Sequence, residues 1–443
     1  MKMPTIRPAK APKPRFVRWA ALADPHHIAR PVTMEDIQSE VQRCNEDGER
    51  LRVAGGGTAS NALWNTDENL LTLDHFRGIE SADLEPAVIW VRAGTTLGHL
   101  GAWLVSRGLS LPIDGWPAKA TIGGSISVGA HGSGPRLQNL SAHVTAVGLV
   151  TADGVYRRIS ASEYSELFGA VRLTLGALGV ISHVELQCQP AQHRRVRLFK
   201  SALEDTLARL PELRANCSQL SFEWFPGLKA TRIRSALPTN DAGRSPHRDA
   251  QAREWLMANA GHWALARLGQ RLPSLAPRAQ RMGLSALPEA ERVEIKPAPA
   301  IRPLMRHVKL WEVQIAASDL PDALKQLERL FHALELRAYA ALEVGFVAGD
   351  DVWLSPAYGR DSAYIRLKEF KGVDIARQAE IFHQVLDSFD ARPAWGSPHA
   401  KEGDELAALY PRWAEFLNLR QRLDPRGVFL NPYLSQLFGV QAP

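Results

Sequence analysis

The sequence predicts an α+β protein in two parts. Three observations carry this. Two glycine-rich stretches, "VAGGGTASNALW" at 53–64 and "TIGGSISVGAHGSG" at 121–134, each adjoin a strand-like segment. "HVTAVGLVTADGVYRRIS" reads as two strands joined through Asp153-Gly154, the turn chemistry of a hairpin. Beyond Pro190 the pattern becomes strand–helix–strand–strand, an antiparallel, cap-like sheet. A chain of 443 residues is long enough for this division, and 45% apolar with 23% charged residues is ordinary globular composition.

The elements follow in order. Met34, Ile37 and Val41 space a helix over 34–48, and "RLRVAG" is a short strand entering the glycines. "NLLTLDHF" and "AVIWVRAGT" are strands, separated by Gly78 and a turn at "SADLEP". "TTLGHLGAWLVSRGL" is a helix capped by Thr95 or Thr96, with Leu97, Leu100 and Leu104 as its buried stripe. "LTLGALGVISHVELQCQP" is a glycine-punctuated turn feeding a strand. In the second part "HVKLWEVQIA" is a strand, and Ser318 caps a helix in "SDLPDALKQLERLFHALEL". "YAALEVGFVAG" and "SAYIRLKEF" are further strands. "AREWLMANAGHWALARLGQRL" is helix-like, and the chain ends in a helix stopping at Asp424-Pro425 followed by an irregular tail. The expected divisions are a mobile basic tail at 1–20, a first domain at 21–190, a cap at 191–405 with a basic helical insert at about 226–305, and a segment 406–443 returning to the first domain.

Composition narrows the function classes. No apolar run reaches transmembrane length, and the basic, proline-rich start "MKMPTIRPAKAPKPRF" has no apolar core of the secretory kind. Cys44, Cys188 and Cys217 are far apart, which argues against a disulfide framework or a cysteine-based metal site and for a reducing, cytoplasmic setting. The net charge is +6 (53 minus 47), with Lys229, Arg232, Arg234, Arg244, Arg248, Arg253, Arg267, Arg271, Arg278 and Arg281 crowded together. No nucleic-acid motif accompanies them, so the region reads as a solvated helical face and linker, with no nucleic-acid partner.

Glycines beside strands suit tight turns. They equally suit backbone amides gathered around an anion, because a pyrophosphate needs many donors and no bulky side chain in the way. Neither loop has the G-x-G-x-x-G spacing of a dinucleotide fold, and no G-x-x-x-x-G-K-[ST] phosphate loop is present.

The order of the segments goes further. "RVAGGGTASN", "LTLDHFRGIE", "VRAGTTLGHLGAWLVSRGLSLPIDG", "TIGGSISVGAHGSGPR", "VTADG" and "LTLGALGVISHVELQ" together resemble the FAD-binding domain of the vanillyl-alcohol-oxidase class of flavoproteins, in its sugar and aldonolactone oxidase branch. "DVWLSPAYGRDS" and "YPRWAEFLNLRQRLDPRGVFLNPYL" resemble the cap and tail signatures of the same enzymes. The resemblance covers about 20–190 and 310–435 and is poor over 195–305. It implies a PCMH-type FAD-binding domain of two subdomains under an antiparallel cap, and no metal. It also implies that Ala54, Gly55, Gly56, Gly57, Thr58, Ala59 and Ser60 form one FAD loop, and that Val128, Gly129, Ala130 and His131 belong to a second. Thr121 and Gly124 would lie beside them, Gly115 and Trp116 near the flavin ring, and Ile181 at the adenine end.

Several positions depart from the family pattern. Ala59 stands where many relatives bond flavin through histidine, so this chain is expected to hold FAD non-covalently. Gly115 leaves room for dioxygen near the flavin, favouring an oxidase, although glycine also suits a turn in "IDGWP". Glu343 matches the family's active-site glutamate, but Gly345 stands at the place of an arginine, and "RPAWGSPH" puts Ala394 and Ser397 where relatives have histidine and lysine. Arg366 and Lys368 are two apart on the next strand and therefore share a face. Either they replace the missing cations or they point to solvent. His131 reads either as a catalytic base or, as such loop histidines more often are, as a brace for its loop through its ring nitrogens, and His399 as a weaker candidate for a pocket base.

The resulting expectation is an FAD-dependent oxidase or dehydrogenase of the CH–OH group of a polyol, sugar lactone or related molecule, with dioxygen or another acceptor. Glu343, Arg366 and Lys368 would be catalytic. The altered pocket leaves open a tailoring oxidase of a non-sugar metabolite, or a flavin-fold partner protein without catalysis.

Overall fold

The computed structural model describes residues 25–115, 117–241, 256, 261–295, 308–334 and 341–440. Trp116, Arg244, Arg248, Arg253 and the 1–20 tail therefore lie outside the described residues.

The chain is α+β, and its first part holds two small sheets. The strands His27–Ala29, Asn69–Thr72 and Leu51–Ala54 form a parallel three-stranded sheet with Asn69–Thr72 in the centre. The second sheet is antiparallel. It runs Ile79–Asp83, Val88–Arg92, Val180–Gln187, Val144–Val150, Tyr156–Ser160, and the last two form the expected hairpin with Gly154 at φ 74°. Thr33 closes a capping box on the Met34–Asp47 helix, which buries Ile37, Val41 and Cys44. Thr96, rather than Thr95, caps Leu97–Val105, whose Leu97, Leu100 and Leu104 are buried. The Thr95 hydroxyl instead receives the Gly78 amide at 2.8 Å. "SAD" is strand, so the turn begins only at Leu84.

An eight-stranded antiparallel sheet forms the second part. Its order is Ala290–Ile295, His193–Ala202, Ala230–Thr239, Gln219–Phe225, Leu342–Val347, Ser362–Phe370, Val308–Ala316, Arg392–Pro393. The helices Leu320–Ala333 and Ala376–Asp387 cover one face with Leu324, Leu327, Phe331, Phe382 and Val385, and a second apolar core fills the space between. The region expected to be a helical insert thus supplies two strands, Ala230–Thr239 and Ala290–Ile295, besides the helices His262–Arg271 and Ala276–Ala286. Arg232 and Arg234 are not on a solvated helix but on the sheet, opposite carboxylates. Ser318 does not cap the next helix. The N-cap is Asp319, whose own side chain receives the Ser318 hydroxyl at 3.1 Å.

After Leu409 the chain rejoins the first core. Tyr410, Trp413, Phe416 and Phe438 pack there with Trp395 and with Leu63, Leu71 and Leu175. The tail beyond Asp424 is not irregular, since Asn431 caps a further helix, Pro432–Phe438. Arg52 ties these segments together. It is buried, and its guanidinium donates to the carbonyls of Leu63 (3.0 Å), Gly176 (2.8 Å) and Phe429 (2.5 Å). Five N–H donors in a fixed fork suit such a hub, and burial pulls Arg52 down to about 10.

Candidate active site

A cavity of about 470 Å³ lies between the two parts. One wall is glycine loop and the other is the face of the eight-stranded sheet that carries Glu312, Glu343, Arg366 and Lys368.

The first loop approaches bare backbone closely. A Cβ on Gly55 would stand 2.2 Å from the Thr121 hydroxyl, and one on Gly56 would stand 1.9 Å from the carbonyl oxygen of Lys119. Those two glycines are required by packing against the second loop, whereas Gly57 has a left-handed φ of 61°. Ser60 N donates to the Gly396 carbonyl at 2.9 Å, and Asn61 Nδ2 donates to the Trp395 and Ser397 carbonyls at 2.6 and 3.1 Å. The loop is thereby docked on "WGS", which brings Ala394 and Ser397 into the wall with Ala59. Among the described residues, no amide from Gly55 to Ala59 donates to another backbone group. Such a row of bare amides beside small side chains fits the pyrophosphate of FAD.

Gly55, Gly56, Gly57, Thr58, Ala59, Ser60, Gly115, Thr121, Gly124, Val128, Gly129, His131 and Ile181 all line this cavity. Two expected residues do not. Ala54 ends a strand, pairs with Thr72 and turns its side chain into the core. Ala130 is wholly buried in that core, its amide donating to Ser125 O at 2.9 Å. Gly115 has φ 97°, so its backbone conformation alone accounts for a glycine there. Arg52, Ser127, Thr174 and Gly176 also line the wall without having been singled out. His399 does not. It is half-buried against Trp395, and desolvation pulls it down to about 4.

On the sheet side, register aligns five charged residues in one row across five neighbouring strands. Arg232 faces Glu223, Glu223 faces Glu343, Glu343 faces Arg366, and Arg366 faces Glu312. Arg366 and Lys368 do not point to solvent. Arg366 Nη1 donates to Glu343 Oε1 at 3.0 Å and Nε donates to Glu312, while Lys368 Nζ reaches Glu223 at 3.4 Å and Glu343 at 3.9 Å. Burial disfavours the charged form of both cations, but the neighbouring carboxylates outweigh it and raise both above their ordinary values. Burial likewise opposes ionisation of Glu312, yet Arg366 and His131 hold its carboxyl at about 2. Glu343 is the most exposed of the four, with 27% of its side chain accessible. It also receives the Tyr364 hydroxyl at 3.3 Å.

The glycine at 345 has a visible cause. A Cβ there would lie 2.2 Å from the Ser133 hydroxyl and 2.5 Å from the Tyr364 ring. Tyr364 therefore occupies the space beside Glu343, and Arg366 stacks on that ring with its Cζ 4.4 Å from the centroid. Glu312 and Gln314, missed in the sequence, share the cavity wall. Their signal was a glutamate and a glutamine two apart in the otherwise apolar strand "LWEVQIA".

Bare-amide loops facing a charged sheet across one cavity define a flavin-dependent oxidoreductase with an FAD-binding part and a cap. The chain belongs to the D-arabinono-1,4-lactone oxidase family, whose model matches residues 184–437, and an FAD-binding domain model matches residues 25–160. It is 30% identical to an L-gulono-1,4-lactone dehydrogenase of Mycobacterium tuberculosis over 94% of this chain and 96% of that one. It is 29% identical to an L-gulonolactone oxidase of Scyliorhinus torazame (96% and 98%) and 28% identical to an alditol oxidase of a Streptomyces species (93% and 95%). The fold is shared with cholesterol oxidase from B. sterolicum, at TM-score 0.76 and 15% identity over 93% of this chain and 94% of that one. No helix among the described residues is long and apolar enough to cross a membrane.

Proposed function

We propose that this protein oxidises a CH–OH group of a polyol, sugar lactone or related polyhydroxylated small molecule, with dioxygen as acceptor. The observation that carries the reading is the Glu343 carboxylate, partly exposed in the same cavity as the glycine loops and flanked by Arg366 and Lys368. FAD, which the loop at 55–60 and the wall at Thr121, Gly124, Val128 and Gly129 would hold, would supply the hydride acceptor. Glu343 accepts the proton of the reacting hydroxyl, which a carboxylate within hydrogen-bond reach can do. Arg366 and Lys368 flank that carboxylate and stabilise negative charge developing on the substrate oxygen. Gln314 and the apolar Val308 and Leu310 complete the substrate wall.

The reading includes dissociable FAD, because Ala59 carries no group that bonds carbon. It takes residues 21–190 with 406–443 as the cofactor part and 191–405 as the cap. Three buried, unpaired cysteines suit a reducing compartment, the cytoplasm. The test is a visible spectrum of the purified protein, followed by anaerobic addition of polyols, sugar lactones and amines. Bleaching by a polyol or lactone, with recovery of colour and peroxide in air, supports the reading. Bleaching by amines alone, or by none of the panel, overturns it.

A further inference from the structure

Glu312 is a carboxylate that the oxidation above does not use. It is buried, with 6% of its side chain accessible, yet it joins the two halves of the site. One oxygen receives Arg366 Nε from the substrate row, and the other stands 2.6 Å from His131 Nε2 in the second cofactor loop. The other ring nitrogen of His131, Nδ1, stands 2.8 Å from the carbonyl oxygen of Gly132.

A carbonyl oxygen only accepts. An ionised carboxylate only accepts. A neutral imidazole has one donor and one acceptor nitrogen, so it satisfies just one of these two contacts, whereas an imidazolium satisfies both. The Tyr364 ring lies 5.1 Å away, centroid to centroid, and the Arg366 guanidinium sits on the far side of the carboxylate. Glu312 thus joins two partners, the Arg366 guanidinium and the His131 ring, one at each carboxylate oxygen.

We propose that Glu312 is a positioning residue that holds His131 as a double donor in the wall of the FAD cavity, while aiming Arg366 at Glu343. The inference rests on the same cavity as the proposed oxidation, but it concerns how the cofactor loop is held and not the substrate.

The experiment uses the FAD-loaded protein with nitrogen-15 histidine labelling, the His131 signals being assigned by their loss in His131→Gln. Expected is a ring protonated on both nitrogens at neutral pH in the unsubstituted protein. In Glu312→Gln one nitrogen loses its proton, while Glu312→Asp restores it. A singly protonated ring in the unsubstituted protein overturns the proposal without any variant at Glu312. So does a Glu312→Gln protein in which the ring is still protonated on both nitrogens. None of these readouts requires turnover, so failure to find a substrate leaves this inference standing.

Discussion

Glu343 and Arg366 face each other directly on antiparallel strands, and the guanidinium that donates to Glu343 at 3.0 Å also donates to Glu312. One cation therefore compensates two carboxylates, of which one is buried and the other is partly exposed to the cavity.

Removing that cation separates catalysis from cofactor binding. Arg366→Ala leaves the glycine loops untouched, so bound flavin per chain is expected to stay near that of the parent. Turnover is expected to fall by about 10²–10³, the usual cost of losing a preorganised electrostatic partner. Stability drops too, by about 3–5 kcal/mol, because two carboxylates lose their buried partner. Steady-state kinetics with flavin quantified on the same sample checks this, and undiminished turnover counts against a role for Arg366.

Gly56→Ala tests the loop packing. The new Cβ would sit 1.9 Å from the Lys119 carbonyl oxygen, and backbone cannot yield as a flexible side chain does. The loop must move, at a cost of about 1–3 kcal/mol, and FAD affinity is expected to drop sharply. Flavin titration by fluorescence reads the loss. Gly57→Ala acts differently, through its left-handed backbone at φ 61°, and is expected to be milder.

How much of this site was legible in the sequence depends on the kind of information each part needed. Strand alternation alone put Arg366 and Lys368 on one face, and the spacing of small residues marked both loops. The charged row was not legible. Glu223 meets Glu343, and Glu312 meets Arg366, through register between strands distant in the chain, which no local pattern encodes. The four strands between His193 and Ile295 were missed for a related reason, because arginine-rich strands such as "ATRIRSALPT" lack clean apolar alternation and are stabilised by cross-strand charge pairs. Ala54 and Ala130 lie within the two motifs but do not line the cavity, since lying within a motif does not decide which way a side chain points.

Acid precipitation tests the linkage to flavin. Ala59 lines the cavity and has no nucleophilic atom, so the precipitated protein is expected to be colourless and the FAD to be recovered in the supernatant. Flavin retained in the pellet would mean a covalent anchor elsewhere in the wall.

The acid limb of stability is set in part by Glu312. Its carboxyl is held at about 2 in the fold against an ordinary 4.5, so the stabilisation is fully present above pH 4.5 and is lost as pH falls through about 2. The difference corresponds to roughly 3 kcal/mol for a buried group. Urea unfolding of the unsubstituted and Glu312→Gln proteins as a function of pH is expected to show a stability gap that closes as pH falls from 4.5 towards 2. A gap that does not change with pH would assign Glu312 a packing role only.

The most direct test of the site as a whole is the anaerobic rate of flavin bleaching in Glu343→Gln, compared with the unsubstituted protein at equal FAD content and with the same polyol or lactone. The expected result is full binding of flavin with bleaching slowed by about 10²–10⁴, the range for loss of a general base. Bleaching at the parent rate would contradict the assignment of proton removal to Glu343.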